Sequence, residues 1–233
     1  MVFSVSKIQC FKQCKYKYRL QYIEKVEQEH FEFFKKGSNV HKMFETFTVS
    51  DTGTDNVVSR FFNSEVGRKY FKTVVNAEKE VRIGLKIVNG QIVPCEFKDS
   101  DAFFHGIIDV LNGNTILDYK TGRKKSFKDQ DWMQLMYYAA WLFLKHPEYN
   151  EVNISYLYVE HNYENAVTVK RTHVNEILKK ILTNVIEITK FEGNPTEEHK
   201  CSWSCDYCSC RSSCKFYKEL QESKLENIPF ETI

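Results

Sequence analysis

The sequence predicts an α/β chain with a mixed sheet, helices on both sides, and a cysteine-rich cap drawn from its two ends. Three observations predict it. Apolar residues recur at helical spacing in five stretches, near 4–25, 38–48, 57–72, 129–145 and 174–191. Between them, apolar and polar residues alternate with the period of a strand. Five of the eight cysteines lie after residue 193, too clustered for chance placement. Helices, then strands, a helix, more strands and a helix make a sheet covered on both faces.

Each element has its own signal. In 4–25, Ile8, Phe11, Tyr18 and Tyr22 fall near helical spacing, and Ser4 or Ser6 is a cap. Gly37–Ser38 read as a loop and cap before a helix over 38–48, carried by Val40, Met43, Phe44 and Phe47. DTGTDN, 51–56, is a turn-rich break, and 57–72 is helical through Val58, Phe61, Phe62 and Tyr70. The period then changes. Val81, Ile83, Leu85 and Ile87 alternate, Asn89–Gly90 makes a hairpin turn, and Ile92–Val93 begin the return. Strands follow at 103–111 and 115–120, joined by a tight hairpin at Asn112–Asn114. After the helix over 129–145 come strands at 152–160 and 166–170. Ile177, Ile181, Val185 and Ile188 then mark a helix over 174–191.

Composition narrows the function. Hydrophobic content of 42% and charged content of 27% are ordinary for a globular protein. A net charge of +2 means that any nucleic-acid surface is a local patch. No run is long and apolar enough to span a bilayer, and the N-terminus lacks the apolar core of a secretory signal. The expectation is an intracellular, cytoplasmic protein with no membrane partner. Its cysteines are then reduced, and clustered reduced cysteines point to metal. No phosphate-binding G-x₄-G-K-[ST] loop is present, so any motor is another chain.

The chemistry gathers at ILDYKTGRK, 116–124. Residues two apart on a strand share a face, so Asp118 and Lys120 point into one space. Asp109 ends the apolar run Gly106–Ile107–Ile108, and the hairpin brings it beside Asp118. Two carboxylates and a lysine suit a hard divalent cation, with the ammonium stabilising phosphoryl charge or positioning a water. A surface hairpin with an incidental ion pair would show the same pattern. His41 could add a nitrogen ligand or touch substrate. Gln134 and Tyr138 share one helix face, and Glu78, or Glu80 two residues on, is an accessory carboxylate. Lys120, Arg123, Lys124, Lys125 and Lys128 form one basic group, and Lys12, Lys15, Lys17 and Arg19 another, suited to phosphates. Tyr16, Tyr18, Phe33, Phe34 and Trp132 are candidates to stack on bases.

Cys205, Cys208 and Cys214 read C-x₂-C-x₅-C, in which two thiolates grip one centre from a single turn. The fourth ligand is open among Cys201, Cys210, Cys10 and Cys14. A zinc knuckle of Cys201, Cys205, Cys208 and either Cys210 or Cys214 fits the same spacing.

In order along the chain stand G-x₃-H (Gly37–His41), GIID (Gly106–Asp109), DYK (Asp118–Lys120) and Q-x₃-Y (Gln134–Tyr138). Together they resemble the PD-(D/E)XK nuclease superfamily, in its RecB-like iron–sulfur exonuclease branch. That branch includes the AddB nuclease domain and CRISPR-associated RecB-like exonucleases. The resemblance implies a restriction-endonuclease-like core. It implies Mg²⁺ or Mn²⁺ held by His41, Asp109, Asp118 and the Tyr119 main-chain carbonyl. Lys120 matches the motif lysine, and Gln134 and Tyr138 lie near the catalytic centre and DNA. The second acid is Asp where many relatives have Glu.

Ser6, Ile8, Phe11 and Cys14 resemble the N-terminal helix of that branch, with Lys15 where proline is usual. The resemblance then implies that Cys14, Cys205, Cys208 and Cys214 hold a structural [4Fe–4S] cluster, with zinc as the alternative occupant. The chain would be a single nuclease domain over 1–233, with 1–30 and 195–220 forming the cap. Closing so long a loop contributes about 3–5 kcal/mol in the chain-entropy picture. The implied function is a metal-dependent DNA exonuclease acting on single-stranded or end-containing duplex DNA. The setting would be repair, recombination or viral replication, with a separate helicase or recombination protein as partner. A structure-specific endonuclease of the same fold, or a non-catalytic DNA-binding subunit, are the alternatives.

Overall fold

Alternation between residues 78 and 170 becomes six strands in the computed structural model, which describes residues 2–29, 31–48, 56–199 and 203–226. Cys201 lies outside the described residues, and of Phe33, Phe34 and Trp203 only the backbone is described. The strands are β1 (Glu78–Val88), β2 (Gln91–Cys95), β3 (Phe104–Asn112), β4 (Thr115–Lys120), β5 (Glu151–Tyr158) and β6 (Tyr163–Lys170). They form one sheet in the order β2-β1-β3-β4-β5-β6. β4 and β5 run parallel, linked by helix α6 (Met133–Lys145), while the other neighbours are antiparallel. The β1–β2 turn has positive φ at Asn89 (49°) and Gly90 (77°), the backbone that a two-residue hairpin of matching twist requires.

Before the sheet lie α1 (Val5–Gln13), α2 (Lys15–Tyr18), a π-helical turn (Arg19–Ile23), α3 (Glu32–Thr46), α4 (Val57–Asn63) and α5 (Glu65–Val75). After it come α7 (Val174–Gly193) and α8 (Lys215–Glu226). Two helices expected as continuous are broken. Cys14 is extended (φ −161°, ψ 114°) and caps α2 by accepting from the Lys17 amide. Ser64 divides α4 from α5 and caps α5 through the Gly67 amide. A Cβ at Gly67 would stand 1.9 Å from the Phe61 carbonyl oxygen, so only glycine lets the two helices meet this closely. Gly37–Ser38, expected as a loop, lie inside α3. Gly37 serves a close approach instead, since its Cβ would stand 3.2 Å from Thr121 Oγ1 just beyond β4.

The chain divides into two compact units, Met1–Val5 with Phe33–Thr183, and Ser6–Glu32 with Asn184–Ile233. In the first, Val40, Phe44, Phe61, Phe62 and Val74 pack on Val110, Leu117, Tyr119 and Leu157 from the sheet. Phe44 stacks on Tyr119 with centroids 4.0 Å apart, which fixes α3 against β4. Burying each such ring stabilises by roughly 1.5–3 kcal/mol. In the second unit the two ends of the chain meet. Tyr16, Leu20 and Cys210 are buried together with Cys14, Cys208, Cys214 and Phe216 packed on them. The Tyr16 amide donates to the Glu198 carbonyl (2.8 Å) and the Glu29 amide to the Ser209 carbonyl (2.7 Å). Among the described residues, no helix is long and apolar enough to cross a membrane.

Candidate active site

The ladder between β3 and β4 runs from Asn112↔Thr115 to Val110↔Leu117. The next facing positions are Asp109 and Asp118. There the side chain of Asp109 reaches the backbone, its Oδ2 accepting from the Tyr119 amide at 2.8 Å. The strands fork at the first carboxylate, and the fork opens the site. His41, held on α3 by the Phe44–Tyr119 stack one turn away, brings Nδ1 to 3.3 Å from the same Asp109 oxygen.

Glu80 completes this group. One ligand atom each from His41, Glu80 and Asp109 lie within 4.8 Å of one another. Glu80 sits on β1 between Lys79 and Val81, which pair with Val110 and Ile108, so it faces Asp109. Its φ is +53°, a left-handed backbone that a non-glycine strand residue seldom adopts. Glu78 is exposed and stands outside the group, so Glu80 occupies the place expected for Glu78.

On β4, Asp118 is only 2% exposed. Lys120 Nζ lies 2.6 Å from its Oδ2, an ion pair with the buried carboxylate. Lys120 also donates to Gln134 Oε1 (3.0 Å) and stands 4.8 Å over the Tyr156 ring. Tyr138, one turn beyond Gln134 on α6, is hydrogen-bonded by Gln134 and by the Ile107 backbone. A Cβ at Gly106 would come 2.5 Å from Tyr138 Cε1, which explains the glycine of GIID.

The charges are unevenly matched. Burial pushes the Asp118 carboxyl up to about 6, with Lys120 opposing and Asp109 adding to the rise. Glu80 is also raised, by burial first and then by Asp109. The hydrogen bond to Asp109 raises His41 against the effect of its burial. His41, Glu80 and Asp109 thus share one space, with the Asp118–Lys120 pair beside it. A hard divalent cation suits two carboxylates and an imidazole whose ligand atoms lie within 4.8 Å of one another. The residues fit such an ion.

The structure brings together His41, Asp109, Asp118, Lys120, Gln134, Tyr138 and the Tyr119 backbone. It does not supply every base-stacking candidate. Tyr16 and Tyr18 are buried and offer no open face, and the side chains of Phe33 and Phe34 lie outside the described residues. In the N-terminal basic group, Lys15 pairs with Glu198 (2.7 Å) and Arg19 with Glu24 (2.6 Å), which reduces its pull on phosphate. Arg123, Lys124, Lys125 and Lys128 are exposed.

The cysteines of the second unit differ in their surroundings. Cys14 Sγ accepts from the Lys17 amide at 3.4 Å. Backbone groups of Phe216 and Tyr217 hydrogen-bond Cys214, and that of Cys210 bonds Cys208. Cys208 is lowered, first by the Cys210 side chain. Cys205 closes the turn before it, its carbonyl accepting from the Cys208 amide at 3.1 Å. Cys10 behaves as a thiol. Burial pushes it up to about 12, and its Sγ donates to Gln21 Oε1 at 3.7 Å. Cys210 is fully buried and raised by its bond to Cys208 and by burial.

Comparison with known proteins comes to the same place. The sequence profile described as the PD-(D/E)XK nuclease superfamily matches residues 2–215. Among solved structures, a Eubacterium rectale protein provisionally described as an exonuclease is 16% identical. It covers 92% of this chain and 88% of its own, with a TM-score of 0.57, and the likeness bears on the fold alone. The protein SSO0001 is 14% identical over 93% of this chain and 86% of its own, with a TM-score of 0.46, too low to carry an argument. No curated protein matches.

Proposed function

The chain belongs to the PD-(D/E)XK nuclease superfamily, and from that premise we propose that it is a metal-dependent DNA exonuclease with a structural [4Fe–4S] cluster. Its six-stranded mixed sheet flanked by helices is a restriction-endonuclease-like core. The observation that carries the reading is the fork between β3 and β4. There Asp109 meets His41, and Asp118 lies buried against a lysine oriented by Gln134.

His41, Asp109, Asp118 and the Tyr119 carbonyl would hold Mg²⁺ or Mn²⁺, with Glu80 beside them. When bound, the ion polarises a phosphodiester and lowers the pKa of a coordinated water. The chain's own groups do the rest. Lys120 is aimed by Gln134 and Asp118, so its ammonium is preorganised where charge develops on the phosphate. His41 and Asp118 must both be deprotonated to act as ligands, and both are raised above their ordinary values. Metal uptake therefore strengthens as pH rises. The substrate is DNA with an accessible end, supplied by a separate helicase or recombination protein.

Cys14, Cys205, Cys208 and Cys214 are the proposed cluster ligands. The Cys208 thiol is lowered, first by the Cys210 side chain, whereas burial raises that of Cys214, so a bound centre would have to draw the Cys214 proton off. Reduced thiols of this kind suit the cytoplasm.

Asp118→Ala and Lys120→Ala are each expected to abolish Mg²⁺- or Mn²⁺-dependent digestion of end-labelled linear DNA while leaving the visible absorbance of the cluster intact. Normal cleavage by either variant removes the mechanism.

A further inference from the structure

β4 leads into the segment 121–131, which carries Arg123, Lys124, Lys125 and Lys128 around one large apolar side chain, Phe127. Phe127 is 53% exposed, and the four cations around it are exposed as well. The loop is anchored rather than loose. Asn165, 2% exposed, donates to the Lys125 carbonyl (3.1 Å) and to Gln130 Oε1 (3.0 Å). The Tyr158 hydroxyl donates to the same Gln130 oxygen at 2.6 Å, and the Ser126 hydroxyl to Asp129 Oδ2 at 2.6 Å.

An exposed ring alone would mean little. Phe127, however, begins a series of rings that ends at the site. Its centroid is 5.4 Å from that of Trp132, Trp132 is 5.6 Å from Tyr156, and the Tyr156 ring is 4.8 Å from Lys120 Nζ. Aromatic faces therefore step from solvent to the lysine, inside a ring of positive charge.

We propose that Phe127 and Trp132 form a stacking platform for an unpaired base of single-stranded DNA, next to the phosphate at Lys120. This deepens the nuclease reading and rests on it. Every base has a π-face, so the platform is indifferent to sequence, and the loop cations follow the backbone. A duplex keeps its bases stacked on each other, so the strand must be single or frayed to use it. An apolar peptide would cover Phe127 but leave four cations without partners.

The test measures binding in EDTA, where no strand is cut, by fluorescence anisotropy. The probes are a short labelled oligothymidylate and an abasic strand of the same length. The wild-type protein is expected to prefer the thymidylate. Phe127→Ala is expected to lose affinity for it by roughly 5- to 150-fold, with the abasic strand unaffected. Phe127→Trp is expected to restore the preference, and an unchanged melting temperature confirms that the exposed substitution leaves the fold intact. Equal losses on both strands, or none on thymidylate, overturn the platform. A protein that keeps the base preference yet digests no DNA with Mg²⁺ or Mn²⁺ sinks the nuclease reading and leaves the platform standing. One that digests DNA but shows no base preference sinks the platform alone.

Discussion

Replacing Asp118 with asparagine should make the metal-free protein more stable while it destroys the proposed chemistry. The carboxyl is 2% exposed, and burial lifts it from an ordinary 3.8 to about 6. A raised acid contributes fully to stability below its unfolded-state pKa, and that contribution is lost as pH rises through the folded value. At about pH 7.5 the wild-type protein is above both values. A shift of about two units then costs on the order of 3 kcal/mol, even with Lys120 beside the carboxylate. Asparagine removes the buried charge and keeps the shape. The expected gain is therefore up to about 3 kcal/mol, or roughly 6–12 °C in melting temperature for a chain of this size. Near pH 5 about half of the gain should remain, and below about pH 4 almost none. The assay is thermal unfolding in EDTA across that pH range, repeated with Mn²⁺. Mn²⁺ should raise the melting temperature of the wild-type protein but much less that of Asp118→Asn. An Asp118→Asn protein less stable than wild type at neutral pH, or a gain that grows on acidification, would refute the reasoning.

Other substitutions test the packing around the site. Gly106→Ala drives a methyl group into Tyr138 and the Ile83 side chain, and should cost about 1–3 kcal/mol in urea unfolding. Gly67→Ala meets the Phe61 carbonyl at 1.9 Å and should be worse, by more than about 3 kcal/mol, because backbone has to move. Cys14→Ser should lower iron content and visible absorbance in anaerobically purified protein, whereas Cys95→Ser on β2 should leave both unchanged.

Much of this architecture was legible because one signal dominated each segment. β4 was readable as 115–120 because alternation, a hairpin and an abrupt Thr121–Gly122 stop agree. The aspartates and Lys120 followed from strand periodicity, and the family motifs pointed to His41. The misreadings have physical causes. Gly37 reads as punctuation, yet it lies within α3, where its missing Cβ leaves room for Thr121, a contact between segments far apart in sequence. Glu80 was weighed beside Glu78, but a positive φ inside a strand cannot be seen in a residue string. Tyr16 and Tyr18 looked available to bases because aromatic content says nothing of which face a helix buries. Phe127 stands in a run of lysines, and the ring series behind it exists only in three dimensions.

The central claim is that His41, Asp109 and Asp118 share one divalent ion beside Lys120. Pulsed electron paramagnetic resonance on the Mn²⁺-loaded protein tests it most directly. The account predicts a nitrogen coupling from a directly bound imidazole that disappears in His41→Gln, with Mn²⁺ affinity collapsing in the Asp109→Asn, Asp118→Asn double variant. A coupling that survives His41→Gln, or Mn²⁺ bound equally well without the two aspartates, would contradict it.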